Sequence, residues 1–394
     1  MSYKKVKISD IGKIVSGATP KTKDVDNYGG SIAWITPADL SGYTSKYISH
    51  GSRNITQKGY DSCSTHLMPR GTVLFSSRAP IGYVAIAENP ICTNQGFKSI
   101  VPNDDIDSEF LYYQLQYLRK KIQEKGSGTT FKEISGKVLG ETDIVVPSLE
   151  EQSRIVAHIE ELFSELDKAV DTLKTTKEQL EVYRQAVLKD AFLCLPDTVE
   201  MDKIADMIDP QPSHRTPPEY KNGIPYIGIG DIDYQNKKIN FEDARKVSPE
   251  VLDEHLHRYT IHKGDFVMGK IGTIGKPYKI PDEQNYALSA NVILIKPNKE
   301  KIYPEFLFWQ FSSSLVTKQL TLGAKATSQP AFGIKKARLL SIKICELEKQ
   351  FKIIKRLEAE MSCCDNIEKT VDTALAQADA MRQSILKQAF EGKL

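Results

Sequence analysis

No apolar run in this 394-residue chain approaches the roughly 18 residues of a membrane span, and the start, MSYKKVKISD, lacks the apolar core of a signal peptide. Paired cysteines are missing too. Cys63, Cys92, Cys194, Cys345, Cys363 and Cys364 form no CxxC motif and no even framework, which points to reduced thiols in a cytoplasmic protein. With 40% hydrophobic and 26% charged residues, the composition is that of an ordinary globular chain, long enough for two or three domains.

Catalytic signatures are also lacking. The stretch Gly264–Ile271 (GDFVMGKI) follows the spacing of a phosphate-binding loop, but Ile271 stands where a hydroxyl must reach Mg²⁺, and the apolar run lies inside the pattern. His255, His257 and His262 have no cysteine or acidic neighbour at a metal-ligand spacing. TPPEY at Thr216 lacks the leading Asn or Asp that would polarise a target amine, and no glycine-rich cofactor loop accompanies it. No Ser-His-Asp or Cys-His set can be assigned. The chain reads as non-catalytic, with no catalytic residues, no metal site and no cofactor of its own.

Glycine and proline vanish from two stretches, and there the sequence repeats itself. Residues 149–192 and 347–390 align without a gap, with about a third of positions identical, ending in RQAVLKDAF and RQSILKQAF. Apolar residues step by alternating threes and fours: Ile155, Ile159, Leu162, Leu166, Leu173 and Leu180 in the first, Ile353, Leu357, Ile367, Val371, Met381 and Ile385 in the second. This pattern predicts a coiled-coil seam on two helices of about 60 Å each. Fainter repeats join the remainder. GTVLFSSRAPIG from Gly71 matches GDFVMGKIGTIG from Gly264, EFLYYQL matches EFLFWQF, and GSGTT at Gly126 falls where GAKAT sits at Gly323. The expected fold is α+β: two pseudo-symmetric domains (1–148 and 196–346) joined by two long helices (149–195 and 347–394) forming an antiparallel coiled coil. A two-fold axis perpendicular to the helices would set the domains at opposite ends of the rod.

Charge divides along the same lines. Residues 1–149 carry 18 basic against 14 acidic side chains and residues 196–345 carry 21 against 18, whereas the helices carry 6 against 10 and 8 against 9. Globular parts facing phosphates and helices facing protein would suit this balance.

The helix openings (PSLEEQSRI from Pro147), their RQxxLKxAF ends, SRAPIG at Ser77 and NQGF at Asn94 resemble the specificity subunit of type I restriction–modification enzymes. The second half departs from the pattern, with Cys345 in place of the opening proline and KIGTIG in place of SRAPIG. The resemblance implies two target-recognition domains, each reading one half of a bipartite double-stranded DNA target. It also implies helices that dock two methyltransferase subunits, with restriction motor subunits around them. S-adenosylmethionine and ATP with Mg²⁺ would belong to those partners. Candidate DNA contacts are Lys21, Lys23, Arg53, Lys58, Arg78, Thr129 and Thr130 in the first domain. In the second they are His214, Arg215, Lys237, Lys238, Lys270, Lys276, Lys325 and Thr327. Two rivals are a coiled-coil scaffold that binds protein alone and a fused enzyme, for which the cofactor loop or metal cluster is missing.

Overall fold

The computed structural model describes residues 4–78, 80–128, 132–324 and 331–393. The chain divides into two compact units, Met1–Leu173 with Thr373–Leu394, and Lys174–Asp372. Each long helix, Leu149–Leu193 and Leu347–Phe390, therefore contributes one part to each unit. No described helix is long and apolar enough to cross a membrane.

The two units repeat one plan. In the first, antiparallel strands stand in the order Gly12–Ser16, Lys98–Pro102, Val73–Phe75, Val84–Ala87, with Tyr47–Ile48 added parallel to the last. In the second the order is Ala205–Ile208, Val292–Pro297, Phe266–Gly269, Pro277–Lys279, all antiparallel. A short antiparallel pair closes each unit beside its long helices: Lys4–Lys7 with Asp143–Val146, and Asp197–Glu200 with Ser341–Ile344.

Aromatic side chains from the long helices complete both cores. Phe390 meets Phe110 edge-on, with ring centroids 5.4 Å apart, and Phe192 meets Phe306 in the same way at 5.3 Å. All four rings are buried. Around them lie Ile155, Ile159, Leu386 and Ala389 in the first unit, and Val187, Leu188, Leu357 and Met361 in the second. Burying a side chain of this size contributes about 1.5–3 kcal/mol.

Two buried glutamines fix how each helix opens. Gln152 donates to the carbonyls of Pro147 and Asp105 at 3.0 Å and accepts the N–H of Asp107 at 2.8 Å. Gln350 donates to the carbonyls of Cys345 at 2.8 Å and Lys301 at 3.1 Å, and accepts the N–H of Tyr303 at 2.9 Å. Because a backbone carbonyl does the accepting, Cys345 can stand where the first repeat has Pro147. Gln114 and Gln310 likewise tie the EFLYYQL and EFLFWQF helices to the carbonyls of Val145 and Lys343.

Within each unit the long helices run antiparallel. In the first, Asp167 pairs with Arg382, whose guanidinium lies 5.0 Å from the centre of the Phe163 ring. In the second, Lys177 meets Asp372 at 2.7 Å, Arg184 meets Asp365 at 2.8 Å and Glu368 at 3.0 Å, and Arg356 meets Asp190 at 3.1 Å. Ile155, Ile159, Leu180, Leu357 and Val371 are buried, and Leu162, Leu166, Leu173, Ile353 and Ile385 are half-buried. Two expected seam residues are corrected: Ile367 is 40% exposed and Met381 is 53% exposed. The inward positions are the next residues, Glu368 and Arg382. Each meets an opposite charge on the other helix, so a stripe drawn through apolar residues alone slips by one.

The aromatic closures should be separately measurable. Phe390→Ala and Phe192→Ala should each cost about 3–5 kcal/mol in denaturant unfolding. Amide exchange should rise in strand Lys98–Pro102 for the first variant and in strand Val292–Pro297 for the second. Equal loss of protection in both strands from either substitution would contradict the division into units.

Candidate nucleic-acid interface

The same backbone frame holds the same loops in both units. In the first, the N–H of Ser77 donates to the carbonyl of Gly96 at 2.7 Å, and the carbonyl of Ser77 accepts the N–H of Ile134 at 2.9 Å. In the second, Lys270 donates to Asn291 at 2.8 Å and accepts from Phe332 at 2.9 Å. The following turn ends on Gly82 (φ 96°) in one and Gly275 (φ 76°) in the other. A Cβ would lie 2.6 Å from Arg119 Cγ at Gly82 and 2.2 Å from Leu320 Cδ1 at Gly275, so conformation and space both call for glycine.

Three loops meet on this frame. One follows strand Gly12–Ser16, where Ala18 donates its N–H to the carbonyl of Thr93 at 3.0 Å; its counterpart follows strand Ala205–Ile208. The second carries Arg78, or Ile271 in the other unit. At the third, Ser127 and Glu133 exchange backbone hydrogen bonds of 3.1 and 2.8 Å, and Glu133 bridges Arg78 as Ala331 bridges Ile271. Thr129, Thr130, Lys325 and Thr327, expected on this third loop, lie outside the described residues.

In the first unit Lys21 and Lys23 are exposed on a loop whose carbonyls are caught by aromatic donors. Tyr28 Oη donates to Pro20 at 2.9 Å and Trp34 Nε1 to Ala18 at 3.0 Å. Arg53 stacks its guanidinium 3.6 Å from the centre of the Tyr28 ring, a contact worth about 0.5–1 kcal/mol at an exposed site. Arg78 is half-buried where its strand bridges Glu133. Lys58 is shared between Asp24 and Asp26, each at 3.1 Å, so its charge is already balanced on the surface.

In the second unit His214, Arg215, Lys238 and Lys276 are exposed, with the Lys276 ammonium 4.2 Å from the centre of the Tyr234 ring. One expectation is corrected. Lys270 is buried and pairs with Asp209 at 2.6 Å, because it occupies the place of Ser77 in the frame and points inward. Lys237 pairs with Asp365 of the second long helix at 2.7 Å. The Lys270 ammonium is thereby withdrawn from any phosphate, while the Lys237 side chain stays exposed. Lys335 and Lys336, outside the expected set, line a cavity of about 300 Å³ together with Asp209, His214 and Lys270. Their signal was the basic IKKAR segment a few residues beyond the GAKAT loop.

Residues 2–182 and 196–377 match the family model described as the type I restriction modification DNA specificity domain. The chain belongs to this family of specificity subunits. It is 32% identical to the type I restriction enzyme MjaIX specificity subunit of Methanocaldococcus jannaschii, over 88% of this chain and 82% of that one. It is 24% identical to the EcoBI specificity subunit of Escherichia coli, over 100% and 86%. Among solved structures, one described as "Structural basis underlying complex assembly and conformational transition of the type I R-M system" superposes with a TM-score of 0.75 at 17% identity, covering 100% of this chain and 98% of that one. The HsdS subunit from Thermoanaerobacter tengcongensis gives 0.54 at 18%, covering 100% and 97%. Both likenesses carry the fold, and the family match makes the two units target-recognition domains of a specificity subunit.

Burial leaves one titration signature in the second recognition domain. His255 is fully buried, and that burial, with Arg258 nearby, pushes its imidazole down to about 4. The unfolded imidazole takes up its proton near pH 6.5, so between 6.5 and 4 the unfolded chain binds more protons. Stability from neutral His255 is therefore complete above pH 6.5 and is lost as pH falls towards 4, by roughly 3 kcal/mol. Unfolding of the native protein and His255→Gln, followed from pH 7 to 4, should show their stability difference shrinking by that amount. A difference independent of pH would contradict it.

Proposed function

We propose that this chain is the sequence-specific DNA-binding subunit of a type I restriction–modification complex, each domain reading one half of a bipartite target. The observation that carries this reading is the repeated loop frame. Its hydrogen bonds are the same in both units, while the side chains mounted on it differ almost throughout. Ser77 faces Lys270, Arg78 faces Ile271, and GATPKTK faces PQPSHRT. Two frames that agree and two loop sets that diverge suit two readers of unlike sequences.

The long helices, with their exposed acidic excess, are the surface on which we expect two methyltransferase subunits to dock, with restriction motor subunits joining around them. Chemistry would then reside on the partners: S-adenosylmethionine on the methyltransferases, ATP and Mg²⁺ on the motors. This subunit would bind and orient DNA without turning it over, in the cytoplasm.

Sequencing the sites methylated by the chain assembled with its methyltransferase partners tests the reading. The expected target has two specific halves and an unread spacer, and the chain alone with S-adenosylmethionine, Mg²⁺ and DNA transfers no methyl group. Methylation sites that do not depend on this chain, or turnover by the chain alone, would contradict it.

A further inference from the structure

In the second recognition domain the segment Asp209–Arg215 (DPQPSHR) is braced along its whole length. Asp209 holds the buried Lys270 ammonium at 2.6 Å, and Arg258 donates to the carbonyl of Pro210 at 2.5 Å. Gln211 is the pivot. Its side-chain oxygen lies 3.0 Å from His255 Nε2, while its amide donates to Ser213 Oγ at 3.0 Å and to the carbonyl of Arg215 at 3.2 Å. His255 Nδ1 lies 2.8 Å from the Tyr259 hydroxyl, which itself accepts the N–H of Leu288 at 3.2 Å. One proton arrangement satisfies the chain: Tyr259 O–H donates to Nδ1, Nε2–H donates to Gln211, and the Gln211 amide donates to Arg215. It requires the neutral imidazole that burial enforces.

The brace ends on the backbone of a single residue, Arg215. The N–H of Arg215 donates to Ser213 Oγ at 3.4 Å, so both of its backbone polar groups are tied to side chains. Its side chain is exposed, with no ion pair or hydrogen bond of its guanidinium among the described residues. His214, just before it, takes a left-handed φ of 54°, a conformation that costs a non-glycine residue about 1–2 kcal/mol and persists where its surroundings over-determine it. Phosphates do not need such bracing, since a lysine on a flexible stem reaches them from many directions. Lys335 and Lys336, which line the cavity with His214, are side chains of that kind. A base edge does need it, because both donors of a guanidinium must meet two fixed acceptors at once.

We propose that Arg215 reads a guanine through its O6 and N7 edge in the major groove, within the half-target recognised by the second domain, and that Gln211 and His255 are its positioning residues. The inference rests on the reading of this chain as the DNA-recognising subunit. The test uses the complex assembled with its methyltransferase partners and the methylated sites it leaves. Arg215→Ala should keep the first half intact and lose the guanine preference at one position of the second half, by roughly 10- to 100-fold. Gln211→Leu, which removes the support and leaves the guanidinium, should relax the same position alone; a merely structural residue would lower methylation at every site together. Two results would overturn the inference: unchanged preference at every position in Arg215→Ala, or a uniform fall across all sequences, which marks a phosphate contact. Failure of the native complex to give any two-part target would instead overturn the functional reading, and this inference with it.

Discussion

The antiparallel pairing of the two long helices is the constraint on which the rest depends. Neither recognition domain closes its core with its own strands and short helices. Each takes the opening of one long helix and the end of the other, and the last buried ring in each, Phe390 on Phe110 or Phe192 on Phe306, comes from that end. Pairing in the opposite sense would bring the wrong helix end to each core. The charge pairs along the helices fix that sense: Asp167 with Arg382, Lys177 with Asp372 and Arg184 with Glu368 match only when the helices run oppositely. Pairs that keep part of their side chains in solvent contribute modestly to stability one by one, so their main effect is on register and direction.

A second constraint separates scaffold from reader. Glutamines 152, 350, 114 and 310 direct their hydrogen bonds to backbone groups, so the frame tolerates changes of side chain around it, as Cys345 in place of Pro147 illustrates. Loops anchored through backbone groups at Ser77 and Lys270 can then vary in sequence without moving. One frame can thus hold unlike side chains at equivalent places, as Ser77 and the buried, ion-paired Lys270 show.

Much of this was legible in the sequence because duplication writes the fold twice. The matched glycines at 82 and 275 and the two glycine-free heptad stretches each correspond to a feature with the same geometry in both units, while EFLYYQL and EFLFWQF open equivalent helices, Ser108–Glu124 unbroken and Pro304–Phe311 followed by a separate helix Ser314–Gly323. The seam at Glu368 and Arg382 was hidden because hydropathy ranks Ile367 and Met381 above charged residues whose partners lie on a distant segment. Lys270 misled for a related reason. A lysine beside glycines reads as an exposed loop cation, and only the fold reveals Asp209 beneath it. Which loop residues face DNA was the least legible, since surface cations such as Lys58 and Lys237 find carboxylates elsewhere in the chain that local sequence does not announce.

With its own core and its own loops, each recognition domain is expected to read DNA independently of the other. The most direct measurement replaces residues 1–147 with the corresponding segment of a relative of different specificity, and sequences the sites methylated by the assembled complex. The expected result is a target with a new first half and the original second half. A target changed in both halves, or in neither, would contradict it.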